Sequence, residues 1–175
     1  MSLKRSQWIT AIFVFMLGIT FVASNSFAGE NEWLKFDAGL AKAKKENKSI
    51  IIDFYTDWCH WCKVMEKQTF ENKDVAKKLQ KRFVTVRVNA EAQDEQVTFQ
   101  NQTMNNVQLT RSFGVTGYPS IAFMDANGKP ITIVPGFVKP DMFIHILDFI
   151  DLKCYEKDIS FQQFMEKGGC GKKKS

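Results

Sequence analysis

Ser49-Ile50-Ile51-Ile52-Asp53-Phe54-Tyr55 is an apolar, β-branched run broken by a single acid, and four residues beyond it stands Cys59-His60-Trp61-Cys62. Such a run suits a central strand covered on both faces, since a half-exposed strand would alternate apolar with polar residues. From Cys59 the pattern turns helical, through Val64 and Met65 to Phe70. Two thiols three residues apart, where a buried strand gives way to a helix, are placed to trade a disulfide with another protein. A free thiol with a pKa near 8.5 is only about 3% thiolate at pH 7. At a helix start, unpaired backbone N–H groups and the positive end of the dipole favour the thiolate. Cys59 is therefore expected to be the attacking nucleophile. Cys62, one turn on and shielded behind it, is expected to resolve the mixed disulfide.

Other uses of the pair fit less well. Zinc needs two more ligands, and the chain offers only His60, His145 and the distant Cys154 and Cys170. Haem attachment requires His directly after the second Cys, where Lys63 stands. An inert disulfide is the remaining alternative. No metal and no cofactor beyond the redox-active Cys59–Cys62 couple is expected. Asp53 adds to the redox reading. In a strand it points with Ile51 and Tyr55, and a carboxylate among such side chains is costly to bury and has a raised pKa. Six residues before Cys59, it is placed to take a proton from Cys62, directly or through water. The competing reading makes it a loop cap or a surface salt-bridge partner.

Working outward, Lys4 and Arg5 precede an uncharged stretch with its apolar heart from Trp8 to Val22, closing on Ser26-Phe27-Ala28. That is the pattern of a secretory signal cleaved after Ala28; an uncleaved anchor is the alternative, because the whole stretch approaches the roughly 20 residues that span a bilayer. No cysteine lies in residues 1–28, so a lipoprotein anchor is not supported. Of 175 residues, removing 28 leaves 147, which suits one core. The net charge of +5 falls to +3 without Lys4 and Arg5, and much of that excess is Lys172-Lys173-Lys174. Basic residues are otherwise mixed with acids, which argues for neither nucleic-acid binding nor membrane attachment by charge.

The expected elements alternate: a helix over Trp33–Asn47, the strand Ile50–Tyr55, the helix from Cys59, a short helix Asp74–Gln80 capped by Asp74, and a strand Phe83–Val88. Glu91–Ser112 is rich in Gln, Asn and Thr and reads as mostly surface, with room for a helix. Ser120–Met124 and Ile131–Val134 flank Asp125-Ala126-Asn127-Gly128 as a hairpin. Asp141–Leu152 is a last amphipathic helix, followed by a shorter helical piece and a flexible Gly168-Gly169-Cys170-Gly171. The class is α/β, with a central mixed β-sheet flanked by helices and a C-terminal helical extension. The expected organisation is a signal over 1–28, one domain over 29–153, and an extension with a basic tail over 154–175.

Asp53-Phe54-Tyr55, Asp57-Trp58-Cys59, Cys62-Lys63, Glu66 and Thr69-Phe70 resemble the thioredoxin-fold family, most closely its periplasmic thioredoxin-like group, which includes the C-terminal domain of DsbD and SoxW-type thioredoxins. Phe113-Gly114-Val115 with Gly117-Tyr118-Pro119-Ser120 is similar to that fold's cis-proline segment, and Gly136 to its glycine in the last strand region. The resemblance spans about Trp33 to Leu152. It implies that Tyr118–Pro119 is cis and faces the disulfide, with the Tyr118 backbone pairing an extended substrate. Trp58, His60 and Trp61 would complete the substrate surface. It also implies a monomer that reduces disulfides of exported proteins in the periplasm, with electrons from a membrane thiol-reductant partner. Departures are Lys67 where cytosolic thioredoxins have a kinking proline, a longer connection from Asn89 to Pro119, and His-Trp between the cysteines. His60 and Trp61 either tune the couple or are exposed bystanders.

Cys154 and Cys170 form an even pair in an exported chain, which favours a structural disulfide; a second redox couple is the sharper alternative. His145 reads as a packing or surface residue. A thioredoxin-fold binding module for a partner or a metal, without turnover, and a disulfide donor or isomerase stand as alternatives to the reductase.

Overall fold

A computed structural model describes residues 31–171. The expected signal and its cleavage point, and Lys172–Lys174, lie outside the described residues. β1 (Ser49–Tyr55) is the hub of a four-stranded sheet of order β2-β1-β5-β6. β2 (Phe83–Asn89) runs parallel to β1, while β5 (Ser120–Met124) is antiparallel to β1 and to β6 (Pro130–Pro135). Alternation along β1 sends Ile50, Ile52 and Phe54 into one core and Ile51 into the other. The first core is closed by α1 (Phe36–Glu46) and α4 (Asn106–Ser112), through Phe36, Ala43 and Leu109. The second is closed by α2 (His60–Met65), α3 (Lys73–Arg82) and α5 (Pro140–Asp151), through Met65, Leu79, Phe143 and Leu147. A continuous apolar strand is what burial on both faces demands. The expected mixed sheet flanked by helices is the one observed.

Four local expectations change. The first helix starts at Phe36, because Leu34 bridges to Val86 at the edge of β2 and the Lys35 cap is extended. The cap of α3 is Asn72, whose side chain accepts from the Asp74 and Val75 N–H groups; Asp74 sits inside the first turn, where its charge favours the helix dipole. The helix from the cysteines is α-helical only to Met65, and Glu66–Phe70 is a π turn closed by Glu71 N–H to the Glu66 carbonyl at 2.9 Å. Lys67, which stands where cytosolic thioredoxins have a kinking proline, thus occupies a wide turn.

The fourth change concerns the polar stretch after Asn89. It contains a hairpin, β3 (Gln96–Phe99) and β4 (Gln102–Asn105), leading into α4 through an Asn105–Gln108 capping box. Val97 and Phe99 point inward, and Phe99 stacks on Phe113 with ring centroids 5.1 Å apart. The hairpin is therefore a lid on the first core. Its turn residues Gln100 and Asn101 both have positive φ, a conformation Asn tolerates and Gln rarely adopts.

At the C-terminus, a 3₁₀ turn (Cys154–Lys157) and α6 (Phe161–Lys167) pack Phe161 and Phe164 on Phe149 of α5. Cys154 and Cys170, sixteen positions apart, are joined by a disulfide, and both are buried. Gly168–Cys170, expected to be flexible, is thus tied to the domain. A ring of this size contributes about 3 kcal/mol in the chain-entropy account.

Gly39 lets α1 lie close on β2, since a Cβ there would collide with Val86 Cγ2. Gly→Ala in an open helix gains about 1 kcal/mol, whereas overpacking a core costs about 1–3 kcal/mol. Gly39→Ala is accordingly expected to lower the urea midpoint; a raised midpoint would show that α1 can shift freely.

Candidate functional site

β1 delivers the cysteines. After Tyr55 the chain turns through Thr56-Asp57-Trp58, and the Cys59 N–H donates to the Thr56 carbonyl at 3.1 Å. Cys59 is the N-cap of α2, and its Sγ accepts from the Cys62 N–H at 3.0 Å. The two are joined by a disulfide with Cα atoms 5.3 Å apart. Cys59 is 3% exposed and Cys62 8%, so Cys62 is not the more shielded of the two, contrary to the expectation from sequence; closed as a disulfide, both are buried. In the reduced state the same backbone donor and helix end favour a thiolate at Cys59.

Asp53 is buried beneath them, at 2% exposure. Burial pushes its carboxyl up to about 6, against the pull of the neighbouring Arg87 guanidinium. The register explains the pair, because parallel strands set Asp53 beside Arg87. Arg87 Nε donates to Asp53 Oδ2 at 3.1 Å and Nη1 to Glu66 Oε1 at 3.0 Å. Its guanidinium also lies 4.6 Å from the Trp33 ring centroid and 5.3 Å from that of Tyr55. Asp53 Oδ1 and Thr56 Oγ1 are buried with no protein partner. A cavity of about 120 Å³, lined by Asp53, Thr56, Cys62, Lys63, Glu66 and Arg87, joins the carboxylate to Cys62 and has room for water.

On the other side, Tyr118–Pro119 is a cis peptide. Ser120 pairs with Phe54 of β1 and Pro135 of β6, and the Gly136 N–H donates to the Pro119 carbonyl at 2.8 Å. This sets Tyr118 and Pro119 at the cysteine end of the sheet. Trp58 and Trp61 are exposed. The Trp58 ring meets Tyr118 edge-on at 6.2 Å, and Trp61 lies between His60 and Phe137, each 5.7 Å away. His60 and His145 are both exposed.

Cysteines, Asp53, Tyr118, Pro119, Trp58, His60 and Trp61 thus share one end of the sheet. Cys154 and Cys170 do not. α5 starts beside that end and runs away from it for twelve residues, so the second disulfide lies at the opposite pole. Arg87, Thr56 and Phe137 were not anticipated, and Glu66 had no role assigned. Arg87 did leave a signal, as the one charge inside the apolar run Phe83–Val88. Among the described residues no cluster of His, Cys, Asp and Glu is arranged to hold a metal, and no helix is long and apolar enough to cross a membrane.

A strand-to-helix CxxC over a buried carboxylate, with a cis-proline at the same end of the sheet, defines a thiol–disulfide oxidoreductase site, and the comparisons agree. The family described as Thioredoxin-like domain matches residues 36–151, about two thirds of the chain, and the chain belongs to that family. Among curated relatives it is 33% identical over 112 residues to the thiol:disulfide interchange protein DsbD of Vibrio cholerae, covering 63% of this chain and 17% of that protein. The DsbD of Actinobacillus pleuropneumoniae is 34% identical over 105 residues, covering 59% of this chain and 16% of that protein. The chain therefore spans about a sixth of the length of these relatives. A solved structure described as DsbH oxidoreductase has a TM-score of 0.55 at 25% identity, covering 78% of this chain and 94% of that one. A thioredoxin-fold protein from Helicobacter pylori, at a TM-score of 0.59 and 23% identity, covering 75% of this chain and 90% of that one, speaks to the fold alone.

The raised Asp53 carboxyl has a signed effect on stability. Between its ordinary value near 3.8 and about 6, the folded protein holds a proton that the unfolded chain has released. Stability is therefore lost as pH rises through that window, by about 3 kcal/mol at most. With the disulfide closed, Asp53→Asn is expected to match the parent near pH 4 and to melt at a higher temperature by pH 7. A gap that stays constant with pH would remove Asp53 as its source.

Proposed function

We propose that this chain is an exported thiol–disulfide oxidoreductase that reduces disulfides of periplasmic proteins. The observation that carries the reading is the N-cap disulfide, with the Cys62 N–H on Cys59 Sγ and a buried carboxylate reachable from Cys62 through a cavity. The Cys59 thiolate attacks a substrate sulfur, forming a mixed disulfide and releasing one substrate thiolate. Cys62 gives its proton to Asp53 through the cavity and attacks Cys59 Sγ, releasing the second thiolate and closing the Cys59–Cys62 bond. Two electrons pass to the substrate, and a membrane thiol reductant returns them to the protein. No cofactor beyond the cysteine couple is required. Trp58, His60, Trp61, Tyr118 and Pro119 form the docking surface for an extended segment.

Export is supported by Lys4-Arg5, the apolar Trp8–Val22 and Ser26-Phe27-Ala28, with cleavage after Ala28 as the reading. Thiol–disulfide exchange is supported by the relatives named thiol:disulfide interchange protein DsbD, and reduction is the direction that the resemblance to the periplasmic thioredoxin-like group implies. The extension from Cys154 onward is read as a structural staple on a monomeric domain.

The reduction potential of the Cys59–Cys62 couple tests this, measured against glutathione with Cys154 and Cys170 changed to Ala. A value of about −250 mV or lower is expected; one near about −120 mV would make the protein a disulfide donor. Cys59→Ser is expected to abolish turnover, and a pair that does not cycle in the parent would leave a binding module. Asp53→Asn should let the mixed disulfide accumulate at pH 7, and less so at higher pH where Cys62 ionises unaided. Equal accumulation at every pH would free Asp53 from the proton step.

A further inference from the structure

The surface beside Cys59 is electrically lopsided. On one side Trp58, 67% exposed, donates from Nε1 to Glu91 Oε2 at 3.0 Å and meets Tyr118 edge-on. Glu91 is exposed too, and lies near enough to Tyr118 to add to the effect of burial in pushing that phenol up. It lies two residues past the end of β2, just after Ala90, whose N–H donates to the Tyr55 carbonyl at 2.8 Å, so the fold holds it at the cysteine end of the sheet. On the other side Trp61 packs on Phe137 and His60, with no acid in either contact.

The neighbouring charges have other engagements. Arg87 is held by Asp53 and Glu66, Asp57 accepts from Asn89 Nδ2 at 3.2 Å, and Lys63 lines the cavity behind Cys62. Among the described residues no ion pair joins Glu91 to a cation; its side-chain partner is a neutral indole. An exposed indole face attracts cations, and a carboxylate at its edge adds to that attraction.

We propose that Trp58, Glu91 and Tyr118 form a subsite for a basic side chain, so that preferred substrates carry Lys or Arg beside the disulfide-bonded cysteine. This rests on the exchange reaction proposed above and adds a substrate class to it. The occupant is an extended segment lying along Tyr118 and Pro119, its cation over Trp58 and against Glu91. An acidic neighbour at the same place meets the Glu91 charge and is disfavoured. The apolar lip of Trp61 and Phe137 makes no charge distinction.

The test uses the full-length, pre-reduced protein and two matched peptides, each with one cysteine as a mixed disulfide with 2-mercaptoethanol, flanked by Lys in one and Glu in the other. Cys59 attacks the peptide sulfur and the mercaptoethanol thiolate leaves. Cys62 then displaces the peptide thiol, so the protein is oxidised by two electrons and the peptide disulfide reduced. Rates of the same peptides with dithiothreitol remove the intrinsic effect of a nearby charge on sulfur reactivity. After that correction the Lys peptide is expected to react about fivefold faster or more at low salt, and the preference should shrink at high salt. Glu91→Gln should bring the ratio close to one and Glu91→Lys should reverse it; a general loss of rate cancels in each ratio. Equal corrected rates in the parent, or a preference that survives Glu91→Lys, would overturn the subsite. Failure to react even with hydroxyethyl disulfide would overturn the exchange reaction itself, and the subsite with it.

Discussion

A carboxylate and a guanidinium facing each other across parallel strands, Asp53 and Arg87, form the constraint on which the rest of this site turns. The pair sits in a sheet whose other inward positions are mostly apolar, and the guanidinium offsets part of the cost of burying the carboxylate. Arg87 satisfies two carboxylates and is flanked by the Trp33 and Tyr55 rings, which binds the first extended residues, β1, β2 and the π turn into one unit. Slipping β2 by one residue would turn Arg87 toward the α1 core and leave Asp53 alone. The placement of a carboxylate beneath the cysteines thus depends on strand register.

Legibility followed the strength of the local signal. β1, its burial on both faces and the position of the cysteine pair could be read because an apolar, β-branched run with a single acid is followed closely by a CxxC. Asp53 stood out as one acid in that run. Arg87 was just as anomalous in its own strand, but linking the two requires the register, which no spacing along the chain reveals. The β3–β4 hairpin escaped for a different reason. Only Val97 and Phe99 of its residues face the core deeply, and its turn uses Gln100 at positive φ, so neither alternation nor turn chemistry marks it. The start of α1 was misjudged because Trp33 continues a helical spacing although tertiary pairing of Leu34 with Val86 holds that segment extended.

The two disulfides divide the labour by location. Cys59–Cys62 lies at the end of the sheet where backbone donors converge and aromatic rings remain open to a partner. Cys154–Cys170 lies at the other pole, under Phe149, Phe161 and Phe164. The distance between the poles separates a bond placed for exchange from one that closes the chain end.

The π turn at Glu66–Phe70 holds two ends of one helix in different phases. Upstream, the helix must present Cys62 and Glu66 to the Asp53 cavity; downstream, Thr69 donates to the Val138 carbonyl at 2.6 Å and Phe70 packs on Trp33 and Phe143. Each residue of an α-helix advances about 100°, so deleting one from the turn would rotate the downstream residues by that angle. Either Phe70 would swing out of its core or Glu66 would leave Arg87. The extra residue acts as a phase shifter, allowing redox geometry and core packing to be met on a single helix.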